Sequence, residues 1–398
     1  MGKISTRSKK YIIPNYSITG DLIAFNECPL QYRFVNKGSL PPSVPVQEWF
    51  GEFIHGIMEE AFLVWKDDKE KGIESKFPWN FEKTQEISIE IEKRLRGKGL
   101  KPYRNIFTDE KDGKKIQGKK KAEDYIANKR AFLSINMWGR YLFPLIEDNE
   151  VKLLGVRNMP ASLVKKRVDM YNITGIADVI TSFNIRKYSG TGNKLVEYLK
   201  EIPEIKEKLE EKEDVQIIVD YKGTMRPDRK KLEQYIHQIT LYMWLQEKNN
   251  AAKELKTPIV AGVLLFLNEL CPIREDLPVL ESINEHEFKD KFQATSRDWD
   301  IVKSQEILDG EEFSDEFRYR RSIEIIPNEP EKIEESLEWA DRTVEMHEEC
   351  VLKELENSKD VLSCWEPTKY DKKRCTACDS KLICPLTREK SECRPHVP

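Results

Sequence analysis

Between Val46 and Lys66 the apolar residues Phe50, Phe53, Ile54, Ile57, Met58 and Phe62 recur three and four apart. That is the spacing of one helical face, and it predicts an amphipathic helix that also carries Trp49, Trp65 and His55. A short helix is expected over residues 18–36, leading into Cys28-Pro29, and a further helix over about Ala122–Leu145. Strand-like segments follow at Val151–Val156, Val164–Asp169, Tyr171–Phe183 and Val215–Tyr221. The pattern then returns to helical over about Lys230–Glu247 and gives one more apolar strand at Ile259–Asn268. Helix, several strands, helix and strand in that order describe an α/β core, at about 46–66 and 151–268.

Two stretches interrupt that core. Residues 67–120 are charged and punctuated by Pro and Gly, and Lys187–Asp214, rich in Lys and Glu, reads as a helical insertion between two strands. A long helix is expected over about Glu331–Glu356, and a cysteine-rich tail follows. With no internal repeat and no low-complexity linker, residues 1–398 are expected to form one elaborated domain.

Composition narrows the function classes. Hydrophobic residues at 39% and charged residues at 34% supply a core and a solvated surface, so disorder is not the expectation. The longest apolar run, Ile259–Leu267, is about half of what a membrane helix needs, so no membrane association is expected. No apolar stretch follows the positive charges of Met1–Lys10, so no secretory signal is read there. Eight cysteines without such a signal suit a reducing, cytoplasmic setting, where thiolates bind metal more often than they form disulfides.

A net charge of −4 makes the whole protein no basic nucleic-acid binder, but its cations are clustered. Lys93–Phe132 holds 14 Lys/Arg against 5 Asp/Glu, and Arg226, Arg229, Lys230 and Lys231 follow Lys222. Such patches can neutralise phosphates on one face, and equally they can be solvated loops.

The sharpest constellation for chemistry is Asp178, Asp220 and Lys222. Ile217-Ile218-Val219 leads straight into Asp220, as in a strand buried on both faces. Residues two apart on a strand point the same way, so Asp220 and Lys222 share a face while Tyr221 points to the other. Two carboxylates with the Tyr221 backbone carbonyl make a hard oxygen site suited to Mg²⁺ or Mn²⁺. A lysine beside such a metal can orient and help deprotonate water. An Asp–Lys pair at a strand end is also an ordinary structural feature, so context has to decide. Tyr235, Gln238 and Tyr242 supply some, being spaced three and four apart on one face of the next helix.

Cys375, Cys378 and Cys384 have a metal-ligand spacing. Cys393 as fourth ligand would close a local zinc knuckle, and Cys28 would close a cluster joining both ends of the chain.

Taken in order, these elements resemble the PD-(D/E)XK nuclease domains of RecB and AddB and the CRISPR-adaptation nucleases. The matching residues are Cys28-Pro29, His55, Gly175 with Asp178, Asp220 with Lys222, Gln238 with Tyr242, and Cys375, Cys378 and Cys384. The resemblance implies a restriction-endonuclease-like core, a central mixed sheet flanked by helices. It implies metal ligation by His55, Asp178 and Asp220, water activation by Lys222, and substrate support from Gln238 and Tyr242. It favours Cys28 as fourth thiolate of a [4Fe-4S] cluster, structural Zn²⁺ being the alternative, in a module of residues 18–36 and 357–398.

Tyr235, Arg226, Arg229 and Lys230 are then candidate nucleic-acid contacts. The implied activity is hydrolysis of DNA single strands or ends, with exonuclease action expected, in repair, recombination, CRISPR adaptation or phage defence. The alternative is a non-catalytic DNA-binding scaffold beside a separate helicase subunit, since the chain has no Walker-type phosphate loop of its own. Two departures from the pattern stand out: Asp178 and Asp220 lie 42 positions apart, and Gly223-Thr224-Met225 follows the lysine.

Overall fold

A computed structural model describes residues 13–36, 46–100, 110–111, 114–115, 125–188, 190–305, 312–357 and 360–387. Seven strands form one mixed sheet: β1 (Asn15–Ser17), β2 (Ile146–Asn158), β3 (Met170–Thr181), β4 (Phe183–Asn184), β5 (Asp214–Lys222), β6 (Ile259–Phe266) and β7 (Ile323–Pro327). The path runs β1-β3-β5-β6-β7, with β2 paired to β3 and β4 to β5. β1 with β3 and β5 with β6 are parallel; the other pairings are antiparallel. The architecture is α/β.

The helices that position the site are α1 (Pro29–Val35), α2 (Val46–Glu70), α3 (Phe81–Gly97), α4 (Arg229–Ala252), α5 (Asp315–Ser322), α6 (Pro330–Glu356) and α7 (Lys372–Ala377). Alternation along β5 sorts its side chains between two layers. Val215, Ile217, Val219 and Tyr221 enter a core with Trp49, Phe53, Ile54 and Ile57 of α2. Ile218 enters a second core with Ile239, Tyr242 and Met243 of α4 and Leu337, Ala340 and Val344 of α6. β6 is buried at all eight residues, which explains its uninterrupted apolar sequence.

β3 gives up one edge to two neighbours. Asn172–Thr174 pair with β1, while Val179 and Ile180 pair with β5. Gly175–Asp178 lie between the two pairings, and there the sheet opens.

Several expectations change. Val164–Asp169 forms turns and bends rather than a strand, and Val164 is 98% exposed. A helix within Ala122–Leu145 begins at Ile126 and then widens over Ser134–Gly139, before a tight turn at Phe143–Leu145. Residues 67–120 include the buried-faced helix α3, capped by Asn80, whose side chain accepts from the Lys83 N–H. Between β4 and β5 the chain forms the helices Lys194–Lys200 and Pro203–Glu211. Much of the basic stretch Lys93–Phe132, and Cys393, lie outside the described residues. Among the described residues no helix is long and apolar enough to cross a membrane.

The two ends of the chain are laced together on the α6 side. Tyr16 donates to Glu348 at 2.5 Å, and Arg167 grips the same carboxylate with Nε at 2.8 Å and Nη2 at 2.6 Å. Asn26 donates to Thr343 at 2.6 Å, and Arg33 and Trp365 both bond Glu354. Burial pushes the Glu348 carboxyl up, but hydrogen bonds from His347, Arg167 and Tyr16 outweigh it and hold the pKa at about 2.

A carboxyl depressed on folding stabilises above its unfolded pKa and loses that contribution as pH falls through the folded value. Between an ordinary 4.5 and about 2 the loss is on the order of 3 kcal/mol. Glu348→Gln is therefore expected to flatten the fall in urea midpoint between pH 5 and pH 2. Parallel curves for the two proteins would contradict this.

Candidate active site

β5 extends because Val215–Val219 is a run of β-branched and glutamine side chains that pack on both faces. In antiparallel register with β3 its final pairs are Val179 with Val219 and Ile180 with Ile218. The next position places Asp178 opposite Asp220, at the mouth of the opening between β3 and β5. Facing carboxylates repel, so both are held by compensating groups.

Asp178 accepts the Tyr221 N–H through Oδ2 at 2.6 Å, and the same oxygen lies 3.2 Å from His55 Nδ1. Asp220 Oδ2 lies 2.5 Å from the Lys222 ammonium, and among the described residues no further donor reaches it. Gln238 joins the remaining groups. Its Oε1 accepts from Lys222 at 2.8 Å, and its Nε2 donates to Tyr242 at 3.0 Å and, weakly, to Asp220 Oδ1 at 3.4 Å. One amide thus uses both its oxygen and its nitrogen, which fixes its orientation. Asp220 and Lys222 face α4, while the Tyr221 ring turns to the α2 side, edge-on to His55 with centroids 6.0 Å apart. The alternation read from the sequence holds here.

Two glycines permit these approaches. A Cβ on Gly175 would stand 2.3 Å from Cε1 of Tyr242, so a bare backbone is what lets that buried ring lie against β3. Gly223 passes α2 so closely that a Cβ would meet the Phe50 carbonyl at 2.8 Å. Gly175→Ala is expected to displace Tyr242 from Gln238 and destabilise the protein by about 1–3 kcal/mol. Urea denaturation checks this; an unchanged midpoint would mean that the ring has room to move.

Burial disfavours a charge on His55, yet Asp178 and Asp220 together raise its pKa to about 9. Of the two, Asp178 is the one in contact with the imidazole, at 3.2 Å. Burial also raises the Asp220 pKa, against the opposing pull of Lys222. Glu150 is raised by burial and by Asp178 and Glu59. Sequence reasoning missed Glu59 and Glu150, which line one pocket with His55, Asp178 and Tyr221. Glu59 lies one helical turn beyond His55, a signal that helical spacing could have supplied. Glu150 adopts φ 52°, which its sequence does not announce.

One imidazole and two carboxylates at a partly open, acidic site are chemically suited to a hard divalent cation. As they stand, however, their charges are paired internally. Among the described residues no three or more His, Cys, Asp or Glu side chains are drawn into a metal-holding group.

The cysteine expectation has a comparable outcome. Cys28 caps α1, Cys375 lies on α7, and Cys378 and Cys384 follow it. These four line one pocket together with Gln31, Thr368, Arg374 and Lys381. All are free thiols, and burial, followed by the proximity of Cys28, Cys384 and Cys375, raises the Cys378 pKa. The four are brought together without being closed into a ligand shell.

No protein-family model matches this chain, and no curated protein does. A solved chain described as "Crystal structure of SSO0001" aligns at 14% identity over 66% of this chain and 75% of that one, with a TM-score of 0.25. A likeness at that level carries no argument about fold or function.

The candidate nucleic-acid contacts divide. Tyr235 lies beneath Lys222, whose ammonium is 4.3 Å from the ring centroid. Arg229 and Lys230 are exposed at the start of α4, Arg229 pairing with Glu233 at 3.3 Å. Arg226 departs from expectation, being 6% exposed. Its guanidinium is paired with Glu324 and donates to the Arg321 carbonyl at 3.3 Å and the Ile323 carbonyl at 3.2 Å. An arginine so enclosed ties the loop after β5 to α5 and β7 and presents no charge to a ligand.

Proposed function

We propose that this protein is a metal-dependent nuclease that hydrolyses phosphodiester bonds in DNA single strands or at DNA ends. The observation that carries the reading is the Asp178–Asp220 pair, faced across two strands with Lys222 on one carboxylate and His55 on the other. Two like charges in a largely buried position lower stability, and an apolar pair would serve a purely structural sheet better. Their presence is explained if they act on something cationic and on the phosphate that accompanies it.

His55, Asp178 and Asp220 would hold Mg²⁺ or Mn²⁺, which when bound supplies charge stabilisation at the phosphate. The protein's own groups do the rest. Lys222, its ammonium held in place by Asp220 and Gln238, orients the attacking water, whose proton passes to bulk solvent. Water oxygen bonds to phosphorus, the opposite P–O bond breaks, and the leaving oxygen is protonated from solvent. Tyr242 fixes Gln238, which keeps the lysine aimed. Cys28, Cys375, Cys378 and Cys384 would hold a [4Fe-4S] cluster, or Zn²⁺ in its place, as a structural clamp between the chain ends.

The test is incubation of the purified full chain with end-labelled single-stranded DNA, blunt duplex and RNA, in Mg²⁺, Mn²⁺ or EDTA. Cleavage of DNA that requires either metal is expected. Binding without cleavage under every condition would replace this reading with a DNA-binding scaffold subunit.

A further inference from the structure

On α4, Lys231, Tyr235, Gln238 and Tyr242 follow one another four, three and four residues apart, so they form one stripe that ends at Asp220. The Tyr235 ring is shared by two ammonium groups: Lys222 is 4.3 Å from its centroid and Lys231 is 5.3 Å away. The active-site lysine and Lys231 thus stand on one aromatic platform. Lys231 is ion-paired with the carboxylate of Glu27, and that pair is about one-third exposed on each side. Glu27 is itself held by the cysteine-rich tail, its carbonyl accepting from Arg374 at 2.5 Å and from Thr368 at 2.8 Å.

We propose that Lys231 forms the subsite for the phosphate next to the scissile one, and that the Glu27 carboxylate occupies this subsite until a DNA strand displaces it. A strand with its reacting phosphate at Lys222 brings a neighbouring phosphate over Tyr235 to Lys231. One nucleotide then lies against the half-buried ring, where stacking tolerates any base. A carboxylate is the natural stand-in for a phosphate oxygen at an ammonium, and the partial exposure of the pair leaves room for exchange. Glu27 directly precedes Cys28, so the strand would run between the start of α4 and the cysteine-rich module. The assignment rests on the nuclease reading of Asp178, Asp220 and Lys222, but its test reads binding separately from cleavage.

The experiment measures fluorescence anisotropy of a labelled single-stranded oligonucleotide in EDTA across a salt series, with steady-state cleavage in Mn²⁺ alongside. Full-length wild type, Lys231→Ala, Lys231→Arg, Glu27→Gln and the Glu27→Gln/Lys231→Ala double variant are compared, each checked for unchanged metal content. Lys231→Ala is expected to weaken binding by roughly 5–20-fold and to reduce the salt slope by about 0.7, the loss of one single-strand phosphate contact. KM should rise with kcat little changed, and Lys231→Arg should restore most of the affinity.

Glu27→Gln is expected to tighten binding by about 2–5-fold, the scale of a half-exposed ion pair. In the double variant this gain should vanish. Wild type that cleaves DNA while Lys231→Ala and Glu27→Gln bind as it does would overturn the subsite and leave the nuclease reading intact. An equal gain from Glu27→Gln with and without Lys231 would overturn the displacement. Wild type that neither binds nor cleaves would remove both readings.

Discussion

Lys222→Ala is expected to lower the metal-dependent cleavage rate by about 10²–10⁴-fold, the usual contribution of a positioned acid–base group. It should also destabilise the fold, because Asp220 would keep a buried carboxylate whose ammonium partner is gone. Breaking a buried pair from one side typically removes about 3–5 kcal/mol. Loss of activity in that variant therefore mixes chemistry with folding. Replacing both partners separates them.

Asp220→Asn with Lys222→Met keeps the shape of the site and removes both charges together. It also relieves the repulsion between Asp178 and Asp220. That double variant should have a urea midpoint close to wild type and no measurable cleavage. Substantial activity in it, measured on the best DNA substrate in Mn²⁺, would sink the assignment of these residues.

The second large effect is expected at the cysteines. Anaerobically purified wild type should be brown, with a broad absorbance near ~400 nm from thiolate-bound iron. Cys28→Ser should lose the colour and the iron and melt at a markedly lower temperature, since one bond set would no longer join residue 28 to residue 375 and beyond. Closing so long a loop restricts the unfolded chain by several kcal/mol on the chain-entropy account, on the order of 6 for a covalent link. A colourless protein holding one zinc, indifferent to Cys28, would instead make the tail a local knuckle.

The candidate site was more legible in the sequence than its frame. Asp220, Lys222, Gln238 and Tyr242 stand on a strongly patterned strand and helix, and spacing alone places them on facing surfaces. β1 and β7 were not legible. Three residues of β1 have no strand signature of their own and are extended because β3 offers an edge. β7 ends in Pro327, tolerable where, among the described residues, β6 is its one neighbour in the sheet. Val164–Asp169 pairs with no strand among the described residues, and its last carbonyl accepts from the Met159 N–H instead.

Arg226 misled for a different reason. A basic run says nothing about which of its members points inward, and Glu324 with two carbonyls decided that from 95 residues or more downstream. Glu150 joined the site through a left-handed backbone turn, invisible to any periodicity.

The lacing of the chain ends sets a schedule for synthesis. Tyr16, Asn26 and Arg33 leave the ribosome well before their partners Glu348, Thr343 and Glu354, which come more than 300 residues later. At about 5–20 residues per second the interval is roughly twenty seconds to a minute. Through that time the N-terminal segment has no α6 to receive it, and the ring faces of Tyr16, Phe25 and Tyr32 that pack on His347 are left uncovered. Truncations that stop before α6 should therefore accumulate as chaperone clients rather than as smaller folded proteins.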